Sequence, residues 1–281
     1  MSRPSNSTQR IPVLCYHGMI ANTRDYLGND HIALAQDLDT LKELGFRPIS
    51  TFDLIQFISH QRSLPADNVF CLTFDDAPPH DFYDYTDPKI GPVPSIKSIL
   101  QASDLFRQHP VPATCFAIAS ESARRELAQT CMNGERAWGS EWWQTAIDER
   151  VFSIGNHSLD HMHDTLTQTA HSTGKKGEFY SVDNYRDADL QIRRAQDELN
   201  TLTNQRTARV FAYPYGHVNR YLAEDYLPNH QDEHQQLAAF STDGDFAHND
   251  SSIWRIPRFV CGDHWKTPDQ LKQILTDGRR N

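Results

Sequence analysis

The sequence predicts an α/β protein in which a parallel sheet closes into a barrel of seven or eight strands, within a single domain. Short apolar runs recur along the 281 residues, and most of them precede a helix-like stretch. This alternation is typical of parallel sheets, and seven or eight such units favour a barrel over an open sheet. No repeat, low-complexity tract or interdomain linker interrupts the chain, so we expect one domain.

Eight apolar runs are the predicted strands, because continuous apolar segments this short are typical of strands buried on both faces. They lie at 13–16, 46–49, 69–74, 113–119, 151–154, 210–213, 237–240 and 253–260. The spacing of apolar residues between them predicts amphipathic helices. These lie at 34–44, 95–108, 122–129 and 188–202, with a last helix that begins at a capping box at Thr267.

Two stretches interrupt the alternation and are predicted to be inserted loops. Residues 80–94 and 163–187 are polar, aromatic and rich in Pro, Gly and Asp. In a barrel enzyme, loops at the carboxyl ends of the strands build the substrate site. We therefore expect a flexible N-terminus at 1–10, followed by one domain at 11–281 that carries both insertions.

The charge and hydropathy exclude two classes of partner. Lys and Arg number 27 against 37 Asp and Glu, which gives a net charge of 27 − 37 = −10. Such a surface repels phosphate backbones, so no nucleic-acid partner is expected. The longest apolar runs fall short of the roughly 18 residues that span a bilayer, so no membrane partner is expected. The oligomeric state is left open.

The cysteines and the N-terminus predict the compartment. The five cysteines are scattered without a C-x-x-C pair, and most lie in apolar stretches, so we expect inert buried thiols. The polar N-terminus is followed by an apolar run too short for a signal peptide. The sequence as written therefore predicts a cytoplasmic protein, and export stays open if a leader has been removed.

Polar residues of catalytic type follow several predicted strands. If the strands are parallel, all of these residues gather at one rim of the barrel, as in a catalytic site. They are His17, Asp75-Asp76, the segment from His157 to His161, the segment from Pro214 to His217, and Ser241-Thr242-Asp243.

His157 and His161 are candidate metal ligands. Four residues apart, they would project from one face of a helical turn, and two histidines with a carboxylate form a common ligand set for a catalytic metal. Taken alone, this spacing also fits an exposed helix face, and one carboxyl of Asp75-Asp76 could instead cap a helix. The presence of both motifs on one rim favours the metal site.

These residues resemble the motifs of the polysaccharide deacetylases with the NodB homology domain, carbohydrate esterase family four. Residues 73–76 resemble its first motif, T-F-D-D, and residues 157–161 resemble its second, H-[ST]-x-x-H. Residues 211–216 resemble the third motif, usually F-R-x-P-Y-G, and residues 12–17 are similar to the first strand of many members, which ends in L-x-Y-H. The resemblance covers roughly residues 11–260.

The resemblance implies a distorted (β/α) barrel, often of seven strands, that binds a divalent metal. The implied ligands are Asp76, His157 and His161, with Zn²⁺ as the default ion and Ni²⁺, Co²⁺ or Fe²⁺ as alternatives. Asp75 is the implied general base, and the backbone N–H of Tyr215 is implied to bind the oxyanion. The resulting hypothesis is metal-assisted amide hydrolysis that yields acetate and a free amine.

The sequence departs from the family pattern in two places. Ala212 stands where many members carry an arginine that orients the catalytic aspartate. Arg255 or Arg258 could approach from the last strand instead, with Arg258 favoured, although a surface salt bridge explains either residue equally well. The histidine that acts as general acid in many members also has no clean match. His264 is the nearest along the chain, and Asp243 aligns loosely with the family's fourth motif.

Further rim residues and aromatic side chains are candidates for substrate binding. Pro214, Tyr215, His217 and His17 follow predicted strands, and His17 and His217 are also candidates for the missing acid. Trp143 is the candidate from the aromatic residues, which could stack on sugar rings or pack the loops onto the barrel. These aromatic residues are Phe82, Tyr83, Tyr85, Trp138, Trp142 and Trp143.

The predicted function is a metal-dependent hydrolase that removes acetyl groups from N-acetylated amino sugars or their polymers. It would act on carbon–nitrogen bonds other than peptide bonds. An amidohydrolase of a small non-polymeric amide on the same metal site is the first alternative. A catalytically weak carbohydrate-binding relative is the second, motivated by Ala212 and the unassigned acid.

Overall fold

A curved parallel sheet forms the centre of the molecule, in a computed structural model that describes residues 9–132, 134 and 137–278. The strand order is β10-β1-β3-β6-β7-β8-β9, and β2 pairs with the first half of β3. The strands are β1 (Val13–Tyr16), β2 (Arg47–Ile49), β3 (Val69–Asp76), β6 (Ala113–Ala117), β7 (Phe152–Asn156), β8 (Val210–Ala212), β9 (Ala238–Phe240) and β10 (Phe259–Val260). Seven strands therefore follow one another around the sheet, as the sequence predicts.

The chain just before β10 closes the sheet into a distorted barrel. Ile256 forms a parallel bridge with Phe240 of β9, and Phe259 pairs with Leu14 of β1. Pro257 stands between these contacts and has no N–H to donate, which interrupts regular pairing. The predicted strand 253–260 is thus reduced to a bridge and a two-residue strand, yet it joins both edges of the sheet.

Helices surround the sheet and mostly match the predicted positions. They are α1 (Asp30–Glu43), α2 (Thr51–Ile58), α3 (Ile96–Ala102), α4 (Asp104–Gln108), α5 (Glu121–Thr130), α6 (Trp143–Asp148), α7 (Tyr185–Ala188), α8 (Arg194–Leu202), α9 (Leu227–Asn229), α10 (Gln231–His234) and α11 (Pro268–Gly278). The helix predicted at 95–108 is two helices, because Ser103 between them has an extended backbone (φ −70°, ψ 129°). The helix predicted at 188–202 begins with a π-helical turn at Asp189–Arg193.

Side-chain alternation along β3 sorts apolar from polar residues. Phe70, Leu72 and Phe74 pack in the large cluster beneath α1, α3 and α11. The intervening residues face the barrel interior, where Cys71 lies in a second cluster with Phe116 and Phe240. Since successive strand residues point to opposite faces, the same alternation turns Asp75 at the end of β3 inward.

The two predicted insertions differ in structure. Residues 80–94 contain an antiparallel hairpin, β4 (Tyr85–Asp87) and β5 (Gly91–Val93), where only a loop was predicted. Residues 163–187 form turns up to the start of α7 at Tyr185.

The first eight residues of the N-terminus predicted to be flexible lie outside the described part of the chain. Among the described residues, no helix has the length and apolar character needed to cross a bilayer.

Truncation of a phenylalanine tests the burial of β3. Phe70 is fully buried and packs on Phe106, so Phe70→Ala should lower the free energy of unfolding by about 3–5 kcal/mol. Phe52 of α2 is 56% exposed, and Phe52→Ala should change it by no more than about 0.5 kcal/mol. Urea unfolding of both variants measures the difference, and equal losses would contradict this packing.

Candidate active site

The end of β3 places two adjacent carboxyl groups at different depths. Asp75 is buried, with 4% of its surface exposed, and belongs to the strand. Asp76 and Ala77 have left-handed backbones, with φ of 73° and 49°, which is uncommon for residues other than glycine. The chain therefore leaves the strand abruptly, and the carboxyl of Asp76 lies close to the two histidines that follow β7, on the far side of β6.

Asp75 forms a bidentate ion pair with Arg258. The two guanidinium nitrogens donate to its oxygens at 2.7 and 2.8 Å, and the arginine side chain is fully buried. Burial alone would raise the pKa of Asp75, but the charge of Arg258 and its hydrogen bonds to the carboxylate outweigh it and hold the pKa well below its ordinary value. Arg258 is thus an arginine that contacts Asp75, a contact that the sequence leaves open at Ala212.

The two histidines converge through a turn, so the predicted helical turn is wrong. Ser158 and His161 have φ of 69° and 61°. Side chains hold the turn, because Asn156 Oδ1 accepts from Ser158 N and Ser158 Oγ accepts from His161 N, both at 2.8 Å. The imidazole rings of His157 and His161 lie 4.8 Å apart. The spacing of the two residues is right for convergence, but the local geometry is not helical.

Asp76, His157 and His161 form a group that fits a divalent cation. One ligand atom from each lies within 4.8 Å of the others. Asp76 Oδ1 is 3.6 Å from His157 Nε2 and 3.8 Å from His161 Nε2, distances too long for hydrogen bonds. His157 Nδ1 donates to the carbonyl of Ala212 at 2.9 Å, which leaves Nε2 as a free acceptor. An aspartate and two neutral imidazoles suit zinc or a similar ion.

The loop after β8 brings a third element to this group. Tyr215 has φ 58° and ψ 8°, and its ring centroid lies 4.4 Å from that of His161. Gly216 follows with φ 66°, and a Cβ there would lie 1.7 Å from Thr242 Oγ1. Only glycine therefore permits this tight turn, which holds the Pro214–Gly216 backbone over the barrel rim.

Comparison with known proteins identifies the fold and the family. The family model for polysaccharide deacetylase matches residues 63–228, more than half of the chain. The chain belongs to the polysaccharide deacetylase family.

Several solved structures resemble this family member over nearly its whole length. IcaB from Ammonifex degensii has a TM-score of 0.65 at 19% identity, over 96% of this chain and 97% of its own. The deacetylase PplD from Streptococcus pyogenes, in complex with acetate, has a TM-score of 0.62 at 19% identity, over 96% and 99%. The deacetylase domain of BpsB from Bordetella bronchiseptica has 0.57 at 16%, over 90% and 96%. Identities this low show a shared fold alone, and no curated protein sequence matches.

The structure brings His17 close to Asp75. One ring nitrogen of His17, one oxygen of Asp75 and the Cys15 sulfur lie within 4.8 Å of one another. The backbone N–H of His17 donates to Asp30 Oδ2 at 2.7 Å, which fixes the residue at the end of β1. Nδ1 is buried and has no partner among the described residues. In this family member, His17 therefore stays a candidate for the acid, with one ring nitrogen close to a carboxyl oxygen of Asp75.

Asp81 is a buried carboxyl group that the sequence does not reveal. It is fully buried beside the Cys115 thiol and under Gly18, where a Cβ would lie 2.0 Å from Asp81 Oδ1. Neither oxygen accepts a hydrogen bond from nitrogen or oxygen within the described ranges. Burial, with the charge of Asp76, raises the pKa of Asp81 well above its ordinary value. The sequence offers no signal for it, because Asp81 lies in what reads as a loop insertion.

Trp143 does not line the site, so its prediction as a substrate-binding residue is corrected. Its ring is fully buried, lies under the guanidinium of Arg124 at 4.7 Å and packs against Trp142. Both rings belong to the large cluster between the sheet and its helices. A fully buried ring offers no face to a sugar, and the packing alternative is the correct one.

The remaining candidates lie around the rim. His264 accepts from Val260 N at 2.8 Å and packs on Phe259, away from the Asp76 group. Asp243 accepts from Arg255 at 2.8 and 3.0 Å, so Arg255 is the arginine that forms the surface pair. These contacts leave Arg258 as the arginine that reaches Asp75.

The two arginines provide a matched test of the buried pair. Arg258→Met should lower the free energy of unfolding by about 3–5 kcal/mol, because the carboxylate of Asp75 stays buried without its cation. Arg255→Met breaks a pair that is 53% and 34% exposed and should cost about 0–1 kcal/mol. Urea unfolding at pH 7 measures both variants.

A double variant separates charge from packing. Adding Asp75→Asn to Arg258→Met removes the unpaired charge and should restore part of the lost stability. A double variant no more stable than Arg258→Met would show that the loss comes from packing alone.

Proposed function

We propose that this chain is a metal-dependent deacetylase of N-acetylated amino sugars or their polymers. One observation carries the proposal: the Asp76, His157 and His161 group lies at the barrel rim beside a buried carboxylate held by Arg258. Membership of a deacetylase family supports the same reaction. The small amide and the non-catalytic binding protein become alternative outcomes of the tests below.

Asp76, His157 and His161 are the residues that would hold the cation, with Zn²⁺ as the first choice for a nitrogen and oxygen site. A divalent ion held there would polarise the acyl oxygen as a Lewis acid and would lower the pKa of a water molecule. Because Asp75 is a weak base, it needs a water molecule of this acidity as its proton donor. Asp75 lies 3.8 Å from His157 Nε2, at the edge of this group. It is placed to accept a proton from water, and Arg258 keeps both of its oxygens in position.

Two further groups of the chain complete the proposed reaction. The backbone N–H of Tyr215, in the tight turn after β8, binds the oxyanion of the tetrahedral intermediate. His17, whose ring lies close to Asp75, gives a proton to the leaving nitrogen as the carbon–nitrogen bond breaks. The products are acetate and a free amine.

Substitution of the two adjacent aspartates tests their separate roles. Asp75→Asn should keep stoichiometric zinc and lose acetate release by about 10²–10⁴-fold, since it removes the proton acceptor and leaves all three candidate ligands in place. Asp76→Asn should lose zinc affinity, because it removes the charged ligand. Metal analysis and acetate release from N-acetylglucosamine oligomers measure both, and full acetate release by Asp75→Asn would contradict the assignment. Bound zinc without acetate release from any saccharide would favour an amidohydrolase of a small amide. A protein that binds no metal would favour the carbohydrate-binding relative.

The role of His17 can be tested with two substrates whose leaving groups differ in their need for a proton. His17→Gln should slow acetate release from N-acetylglucosamine oligomers by about 10²-fold or more. It should leave hydrolysis of 4-nitrophenyl acetate nearly unchanged, because nitrophenolate departs without protonation. His264→Gln is the matched control and should affect neither substrate. An equal loss on both substrates for His17→Gln would show a general defect of the site.

A further inference from the structure

An exposed pair of stacked rings lies next to the site. Tyr180 comes from the inserted segment 163–187, and its ring lies on that of His217 with a centroid distance of 4.1 Å and an interplanar angle of 15°. Although one face covers His217, 54% of Tyr180 is exposed. An aromatic side chain held flat and open to solvent offers apolar area to a ligand.

The pair continues to the metal group through a third ring. His217 lies 5.3 Å from Tyr215, and Tyr215 lies 4.4 Å from His161. Tyr215, His217 and Tyr180 thus form an aromatic row that leads from the proposed reaction centre to the surface.

The position of Tyr180 is fixed by backbone contacts. Asn219 Nδ2 donates to the carbonyls of Tyr180 and Val182 at 2.9 and 2.8 Å. Phe179 and Val182 on either side are fully buried. The segment is therefore held in place without the Tyr180 ring, so anchoring of the loop does not account for the exposed aromatic side chain.

His217 adds a directed polar group to the aromatic row. The N–H of Phe179 donates to His217 Nδ1 at 3.3 Å, which leaves the ring hydrogen on Nε2. Burial lowers the pKa of His217, which favours the neutral ring. A flat apolar face beside one N–H donor suits a sugar ring, which has an apolar C–H face and hydroxyl groups at its edge.

We propose that Tyr180 and His217 form an accessory sugar subsite, which binds the unit next to the one that is deacetylated. The inference rests on the proposed function and deepens it, because it assigns an oligosaccharide chain as the substrate rather than a small amide. The sugar stacks on Tyr180, and His217 Nε2 donates to one of its hydroxyls. The insertion 163–187 then determines the preference for longer chains.

The test compares Tyr180→Ala with Tyr185→Ala over N-acetylglucosamine and its oligomers of two to five units. Tyr185 belongs to the same part of the chain and is 45% exposed, but its ring packs on Tyr226 and His230, away from the aromatic row. Tyr180→Ala should raise KM for the longer oligomers by about three- to tenfold and leave the monomer and kcat unchanged. Tyr185→Ala should match the wild type, and Tyr180→Phe should keep the preference for length.

Binding of products separates this subsite from the proposed reaction. Calorimetry with glucosamine oligomers, which carry no acetyl group, needs no turnover, and Tyr180→Ala should weaken the binding of a tetramer by about three- to tenfold. Acetate release that is unaffected by chain length, with tetramer binding unchanged in Tyr180→Ala, would overturn the subsite and leave the deacetylase intact. Weakened tetramer binding without acetate release from any saccharide would support the subsite while the proposed reaction fails.

Discussion

The ion pair between Asp75 and Arg258 connects the first half of the barrel to its last strand. Burying two charges is costly unless the geometry is good and the remaining donors are satisfied. Both conditions hold, since the pair is bidentate and Arg258 also donates to the carbonyl of Ser241 and to Thr73 Oγ1 at 3.1 and 3.3 Å. Arg258 lies two residues beyond Ile256, where the sheet closes on β9. The ion pair thus links the closure of the barrel to the position of the Asp75 carboxylate.

Left-handed backbone conformations determine where the side chains of Asp76, His157 and His161 lie. Asp76, Ser158, His161 and Tyr215 all have positive φ, although none is glycine. Such conformations cost about 1–3 kcal/mol each and persist where the surroundings hold them. Hydrogen bonds from the Asn156 and Ser158 side chains hold one of these turns. These left-handed residues cluster at the rim, where they turn side chains from the ends of separate parallel strands toward one point.

The positions of most strands along the chain, and the gathering of Asp76, His157 and His161 at one rim, could be predicted, because both follow from local pattern. Buried strands have continuous apolar runs, and polar residues directly after them stand out. The geometry of His157 and His161 could not be predicted, since spacing does not distinguish a helical turn from a left-handed loop. Trp143 was misplaced for a related reason, because composition does not tell a buried indole from an exposed one. The hairpin at 85–93 was missed since its strands are short and polar.

The sequence by itself determined the α/β barrel, the family motifs and the candidate ligands Asp76, His157 and His161. These features depend on apolar periodicity and on residues close together in the chain. Only the tertiary structure decided which arginine reaches Asp75, because Arg258 lies 183 positions away along the chain. It also decided that His17 lies near Asp75 and that Tyr180 stacks on His217. These contacts depend on strand register and loop packing, which arise once the whole barrel has closed.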